Sequence, residues 1–244
     1  ADEMLDESRN NYICAVYAGG AGAALARCDL STGAFTAAPF QGKDCLTHLL
    51  NALAACPPSE AILSDGAADN AQLTDFLKLR LGCLCQGVPE ARFRPAQALE
   101  ALAALGILEE GERSLPDQDG LRMCYQAAGA LAGYLKETQK TDLSHLGRLT
   151  VDGARGQRYL ELDLTARRTL ELTETIRGSE KKGSLLWVLD KTRTPMGHRF
   201  IRAWIEQPLC DPDAISFRQD QVAALTADGV VREELSRALR RVPD

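Results

Sequence analysis

Residues 159–209 read YLELDLTARRTLELTETIRGSEKKGSLLWVLDKTRTPMGHRFIRAWIEQPL. Nearly every position in this stretch is explained by helix chemistry. Tyr159-Leu160-Glu161-Leu162 alternates and predicts a short strand with one buried face. Asp163 follows as an N-cap, a carboxylate that accepts a free backbone N–H of the next turn. Gly183-Ser184 precedes Leu185-Leu186-Trp187-Val188-Leu189. Ser184 is a second cap, and a helix that is apolar nearly all round is expected to be buried. Thr194-Pro195 starts another helix, with Thr as cap and Pro at the first helical position, where a missing N–H costs nothing. Met196, Phe200, Ile201, Trp204 and Ile205 recur at helical spacing and predict a core stripe, with Arg199, Arg202 and Glu206 on the other faces. Gly197 within that helix costs about 1 kcal/mol relative to Ala, and close approach by a neighbouring helix would explain it. Pro208 ends the helix and Asp211-Pro212 opens the next. No metal cage, nucleophile or phosphate loop is written here; the constraints are those of a scaffold.

Upstream, the pattern changes. Asn11–Tyr17, Ala23–Asp29 and Gly33–Ala37 predict three strands separated by two tight turns, an antiparallel meander. A helix is expected over Asp44–Ala55 and a strand over Glu60–Ser64. Asn70–Arg80 predicts a further helix, Leu81–Gln86 a strand, and Pro95–Leu105 an Ala/Leu-rich helix. That element order is RNase H-like. Glu109–Gly120 is a charged junction bearing Pro and Gly, and the domain boundary is expected there. Beyond it, Leu121, Cys124, Ala128, Leu131 and Leu135 repeat at spacings of 3, 4, 3 and 4, a coiled-coil-like seam on a long helix. Arg148–Asp152 is expected to be extended. Val231, Leu235, Ala238, Leu239 and Val242 mark one face of the last helix.

Length and composition set limits. The 244 residues suit one large or two ordinary domains, and 45% hydrophobic with 25% charged residues is an ordinary globular balance. No apolar run approaches the length of a membrane span and no signal peptide is apparent, so the expected setting is cytoplasmic. Eight cysteines show no CxxC pairing and no His at metal spacing, which predicts buried free thiols. Residues 1–120 hold 8 Lys/Arg against 17 Asp/Glu, while 155–202 hold 11 against 6. The first half is therefore a poor nucleic-acid binder, and the basic segment reads as a solvated helix surface that could lie near DNA.

In their order and spacing these motifs resemble the MutS family of DNA mismatch-repair proteins. Asp163, Thr165 and Arg168-Thr169-Leu170-Glu171-Leu172 match the family's core pattern, with Thr169 in place of the usual Asn. Thr194-Pro195-Met196-Gly197-His198-Arg199 matches Thr-x-Met-Gly-x-Arg, and Trp204 through Pro208-Leu209 matches the ending that follows. Asn10-Asn11-Tyr12 and Asp29-Leu30-Ser31-Thr32-Gly33-Ala34-Phe35 are similar to the opening of the family's connector. There is no G-x-x-x-x-G-K-[ST], so the family's ATPase domain is expected to be absent, as is its mismatch-reading domain.

The resemblance implies an α+β chain: an RNase H-like connector over residues 1–118, then the first part of an all-helical core and lever domain over 119–244. It implies a non-catalytic piece with no cofactor or metal of its own, ATP and magnesium being used by the parent protein. Mismatched DNA would be bound, and a homodimer formed, by that parent. The partner MutL would dock on the connector through Gln97, Ala98 and Glu100. Two other readings are a metal-dependent RNase H-like nuclease using Asp29 and Asp65, and a MutS-like paralogue acting in recombination.

Overall fold

The computed structural model describes residues 11–20, 22–108, 114–139, 143–152, 159–178 and 180–242. Residues 1–10 of the expected connector and 109–113 of the expected junction lie outside the described residues. The chain forms two compact units that divide between Gly156 and Gln157.

The first unit is built on a sheet of six strands: β1 (Tyr12–Gly19), β2 (Gly22–Asp29), β3 (Phe35–Phe40), β4 (Glu60–Leu63), β5 (Leu84–Gly87) and β6 (Leu149–Val151). Their spatial order is β5-β4-β1-β2-β3-β6. The meander is as expected: β1 pairs antiparallel with β2, and β2 with β3. The three remaining pairings, β1–β4, β4–β5 and β3–β6, are parallel. At the β2–β3 turn Gly33 has φ +74°, and a Cβ there would lie 2.2 Å from the His145 carbonyl oxygen. Only glycine suits that backbone and that gap.

Helices cover both faces of the sheet, so its central strands read as nearly continuous apolar runs. Leu49 and Leu53 of α1 (Cys45–Ala55) pack against Cys14, Val16 and Leu25. Two short helices, α2 (Asp65–Ala68) and α3 (Ala71–Asp75), follow β4, and α3 runs into a π-helical turn over Phe76–Arg80. On the other face, α5 (Asp119–Thr138) lies over Ile13, Ala15, Ala24, Ala26 and Phe35, with α4 (Pro95–Ala104) against it. This corrects the expected domain boundary at 118. The long helix is the sheet's main cover, and β6 beyond it joins the sheet edge, so the unit runs to Gly156.

The second unit is helical: α6 (Leu164–Thr169), α7 (Leu185–Leu189), α8 (Pro195–Glu206), α9 (Pro212–Ala227) and α10 (Gly229–Leu239). The three expected caps form, and Asp211 caps the helix it was expected to open. Asp163 accepts from Ala166 N at 2.6 Å, Ser184 from Trp187 N at 3.2 Å, Thr194 from Gly197 N at 2.9 Å and Asp211 from Asp213 N at 3.0 Å. The strand expected at Tyr159–Leu162 is reduced to a single bridge between Tyr159 and Leu209.

Burial here is unlike the expectation. The core is Leu172, Leu186 and Ile205, with Leu162 and Ile201 against it. Of α7 only Leu186 is buried, while Leu185, Trp187, Val188 and Leu189 are exposed. In the α8 stripe Ile205 is buried, whereas Met196 and Phe200 are 40% and 58% exposed. Arg199 and Glu206, expected on outer faces, are the buried ones. The apolar face of α10 is exposed as well: Val231, Leu235 and Leu239 all face outward.

Candidate functional site

The helix expected to carry the docking residues is α4. Proline at its first position pre-sets the backbone, and Arg94 ahead of it is extended. Gln97 and Glu100 are exposed. Ala98 is 0% exposed and faces Gly129 of α5, where a Cβ would meet Ala98 Cα at 2.3 Å. Ala98 is thus a packing residue, and the docking candidates that remain at the surface are Gln97 and Glu100. Close by, Arg92 pairs with Glu137. Tyr134 donates to Glu60, whose Oε1 also accepts from Gln86 Nε2 at 2.6 Å. Burial, with the hydrogen bond and charge of Glu60, pushes the Tyr134 hydroxyl up to about 12.

In the second unit the core-motif residues hold the chain's turns. Glu171 has φ 47° and its side chain accepts from Ile176 N at 2.7 Å. The carbonyls of Glu171 and Leu172 accept from Leu185 N and Leu186 N, each at 2.9 Å, which seats α7 on this turn. Arg168 is exposed. Gly197 is explained by its own cap: a Cβ would lie 2.9 Å from Thr194 Oγ1 and 3.2 Å from Thr192 Cβ. The close approach is therefore by the preceding turn, not by a neighbouring helix. Trp204 packs on Phe200 with ring centroids 4.8 Å apart, and the Arg218 guanidinium sits 3.8 Å from the Trp204 ring centroid. The Pro208 carbonyl accepts from Leu160 N at 2.7 Å.

A polar cluster that the motifs did not flag lies between α7 and α8. Asp190 Oδ1 accepts from Thr192 Oγ1 at 2.7 Å and Thr192 N at 3.2 Å, and His198 Nδ1 faces Asp190 Oδ2. Lys181 Nζ lies 3.0 Å from His198 Nε2. Burial would raise the Asp190 carboxyl, but the Thr192 bonds and the nearby His198 and Lys181 hold it below the usual carboxylate range. Spacings of 9 and 8 residues carry no periodic signal, so this grouping was not legible in the chain.

The nuclease candidates do not meet. Asp29 pairs across from Tyr12 at the start of β1, whereas Asp65 follows Leu63, which aligns with Val16. Those ends are at least ~13 Å apart at about 3.3 Å per strand residue. Asp29 instead accepts from Ser31 N at 2.9 Å and Ser31 Oγ at 2.6 Å. Among the described residues, no group of three or more His, Cys, Asp or Glu could hold a metal ion. The eight cysteines are free thiols, and burial pushes Cys28, Cys83 and Cys124 up to about 12. No helix among the described residues is long and apolar enough to cross a membrane.

What the fold and these motifs define is a scaffold of two parts, a helix-covered mixed sheet and a capped helical segment. The sequence comparisons agree. The family model for MutS domain II matches residues 11–147, and that for MutS domain III matches residues 165–244. The chain belongs to the MutS family. It is 39% identical over 241 residues to the DNA mismatch repair protein MutS of Ruminiclostridium cellulolyticum, covering 99% of this chain and 27% of that protein. The MutS proteins of Symbiobacterium thermophilum and Staphylococcus aureus are 35% and 32% identical, across 99% and 98% of this chain and 27% and 24% of their own lengths. The chain thus spans about a quarter of the length of the curated relatives it matches.

Proposed function

We propose that this chain is the connector and the first part of the core of a MutS-type mismatch-repair protein. On this reading it does no chemistry. It couples the binding of mismatched DNA to ATP binding and hydrolysis elsewhere in the parent protein, which uses ATP and magnesium and works as a homodimer. The observation that carries the reading is the succession of matches, domain II over 11–147 followed by domain III over 165–244.

The sheet supports the RNase H-like assignment of the connector: an antiparallel β1–β2–β3 meander, then β4 and β5 added in parallel beside β1. The helical unit suits a mechanical role, because capped helices with a packed junction shift between discrete arrangements rather than bending continuously. Exposed apolar residues on α8, α9 and α10 fit a surface that further core segments of the parent protein cover, its relatives being nearly four times as long.

MutL is the proposed partner of the α4 surface, contacted by Gln97 and Glu100. The test is capture of this chain by MutL from the same organism. Gln97→Ala combined with Glu100→Arg is expected to weaken capture about tenfold, equivalent to about 1.4 kcal/mol, and to leave the fold intact because both side chains are exposed. Equal capture of the variant and the original chain would sink the α4 assignment.

A further inference from the structure

The Lys181–His198–Asp190 cluster has no part in the reading above, and its geometry is that of an activated nucleophile. Lys181 Nζ is 3.0 Å from His198 Nε2. His198 Nδ1 faces the Asp190 carboxylate, and with the ring proton on that nitrogen the Nε2 lone pair faces the amine. Asp190 is itself held by Thr192 through Oδ1, at 2.7 and 3.2 Å. Exposure is graded along the array: the side chains are 45% exposed at Lys181, 14% at His198 and 11% at Asp190. An accessible nucleophile, a base within hydrogen-bond reach and a third group orienting that base make up the arrangement by which proteins activate hydroxyls, thiols and amines. A simple ion pair would need only Asp190, which Lys181 reaches at 3.5 Å. It would not need an imidazole nitrogen aimed at the amine.

We propose that Lys181 is an acylation site that takes acyl groups directly from acyl phosphates, with His198 as proton acceptor and Asp190 as the carboxylate that positions it. The uncharged fraction of the amine attacks the acyl carbonyl carbon. The new C–N bond forms and the C–O bond to phosphate breaks, and phosphate departs with that electron pair. The proton that the nitrogen sheds in the tetrahedral intermediate passes to His198 Nε2 and from there to water, while Asp190 balances the transient imidazolium. The product is a neutral amide, so acylation removes the positive charge from beside Asp190. It thereby weakens the tie between the segment before α7 and the first turn of α8.

The test uses acetyl phosphate on the whole chain at mildly alkaline pH, with acetylation at each lysine followed over time by peptide mass spectrometry. Lys182 and Lys191, both exposed, are references within the same molecule. Lys181 is expected to react about tenfold faster than either, a modest share of what a positioned base supplies. In His198→Gln, Lys181 should fall to the reference rate, and in Asp190→Asn its lead should shrink. Dividing each rate by that of Lys182 removes any general loosening of the variants, which would speed both lysines alike. A Lys181 rate equal to that of Lys182 in the original chain, or a normalised rate unchanged in His198→Gln, would overturn the proposal.

Discussion

Gly129 sets the distance between α4 and α5. A methyl group on it would stand 2.3 Å from Ala98 Cα and 2.6 Å from Ala98 O, backbone atoms that cannot swing aside. α5 cannot retreat either, because it rests on the sheet. Gly129→Ala is therefore expected to destabilise the first unit by about 2–3 kcal/mol, the upper part of the usual overpacking range, despite alanine's better helix propensity. Chemical denaturation followed by far-UV circular dichroism measures this, and an unshifted midpoint would mean that the helices do not touch as described. At this scale legibility depends on whether the cause is local. Asp163, Ser184 and Thr194 were readable as caps because the accepting oxygen and the donating N–H lie within three residues of each other. The burial of Ala98 was not readable, because α4 carries alanine on several sides and nothing in PAQALEALAA marks which side meets a neighbour.

The helix α5 shows the same limit at the level of elements. Its seam from Leu121 to Leu135 was legible, but a 3–4 spacing says only that one face is buried and does not name what buries it. Burial extends almost all round, taking in Ala127, Ala130 and Ala132, because the helix is enclosed by the sheet on one side and α4 on another. Polar anchors fix it there. Gln126 Nε2 donates to Phe93 O at 2.7 Å, and Tyr134 donates to Glu60 at the start of β4. Tyr134→Phe is expected to cost about 1.5 kcal/mol near neutral pH, the low end for a bond to a charged group, since Gln86 continues to satisfy Glu60. The sign with pH follows from the raised hydroxyl pKa of about 12. The bond's contribution is fully present below the ordinary tyrosine value of about 10 and is lost as pH rises towards 12. The gap between Tyr134→Phe and the original chain should therefore narrow in urea melts as pH is taken from 9 to 11; a constant gap would mean that the hydroxyl is not held by Glu60.

Across the whole molecule, apolar side chains are divided unequally. The first unit has large buried clusters on both faces of its sheet, while the second encloses Leu172, Leu186 and Ile205 and leaves Phe200, Phe217 and Val222 exposed. Sequence patterns mark which residues are apolar but not whether a neighbour is at hand to bury them, which is why the stripes of α7 and α8 read as core. Burial of an aliphatic side chain contributes about 1.5–3 kcal/mol, and so small a cluster has little surplus against the entropy of ordering five helices. The two units should then unfold separately, with the second giving way first. Both tryptophans, Trp187 and Trp204, lie in the second unit, so their fluorescence reports on it alone, whereas far-UV circular dichroism reports on the whole chain. In a urea titration the fluorescence transition is expected at a clearly lower concentration than the main loss of ellipticity. Coincident transitions would indicate a single cooperative unit and would remove the premise that the helical segment is held by its own small core.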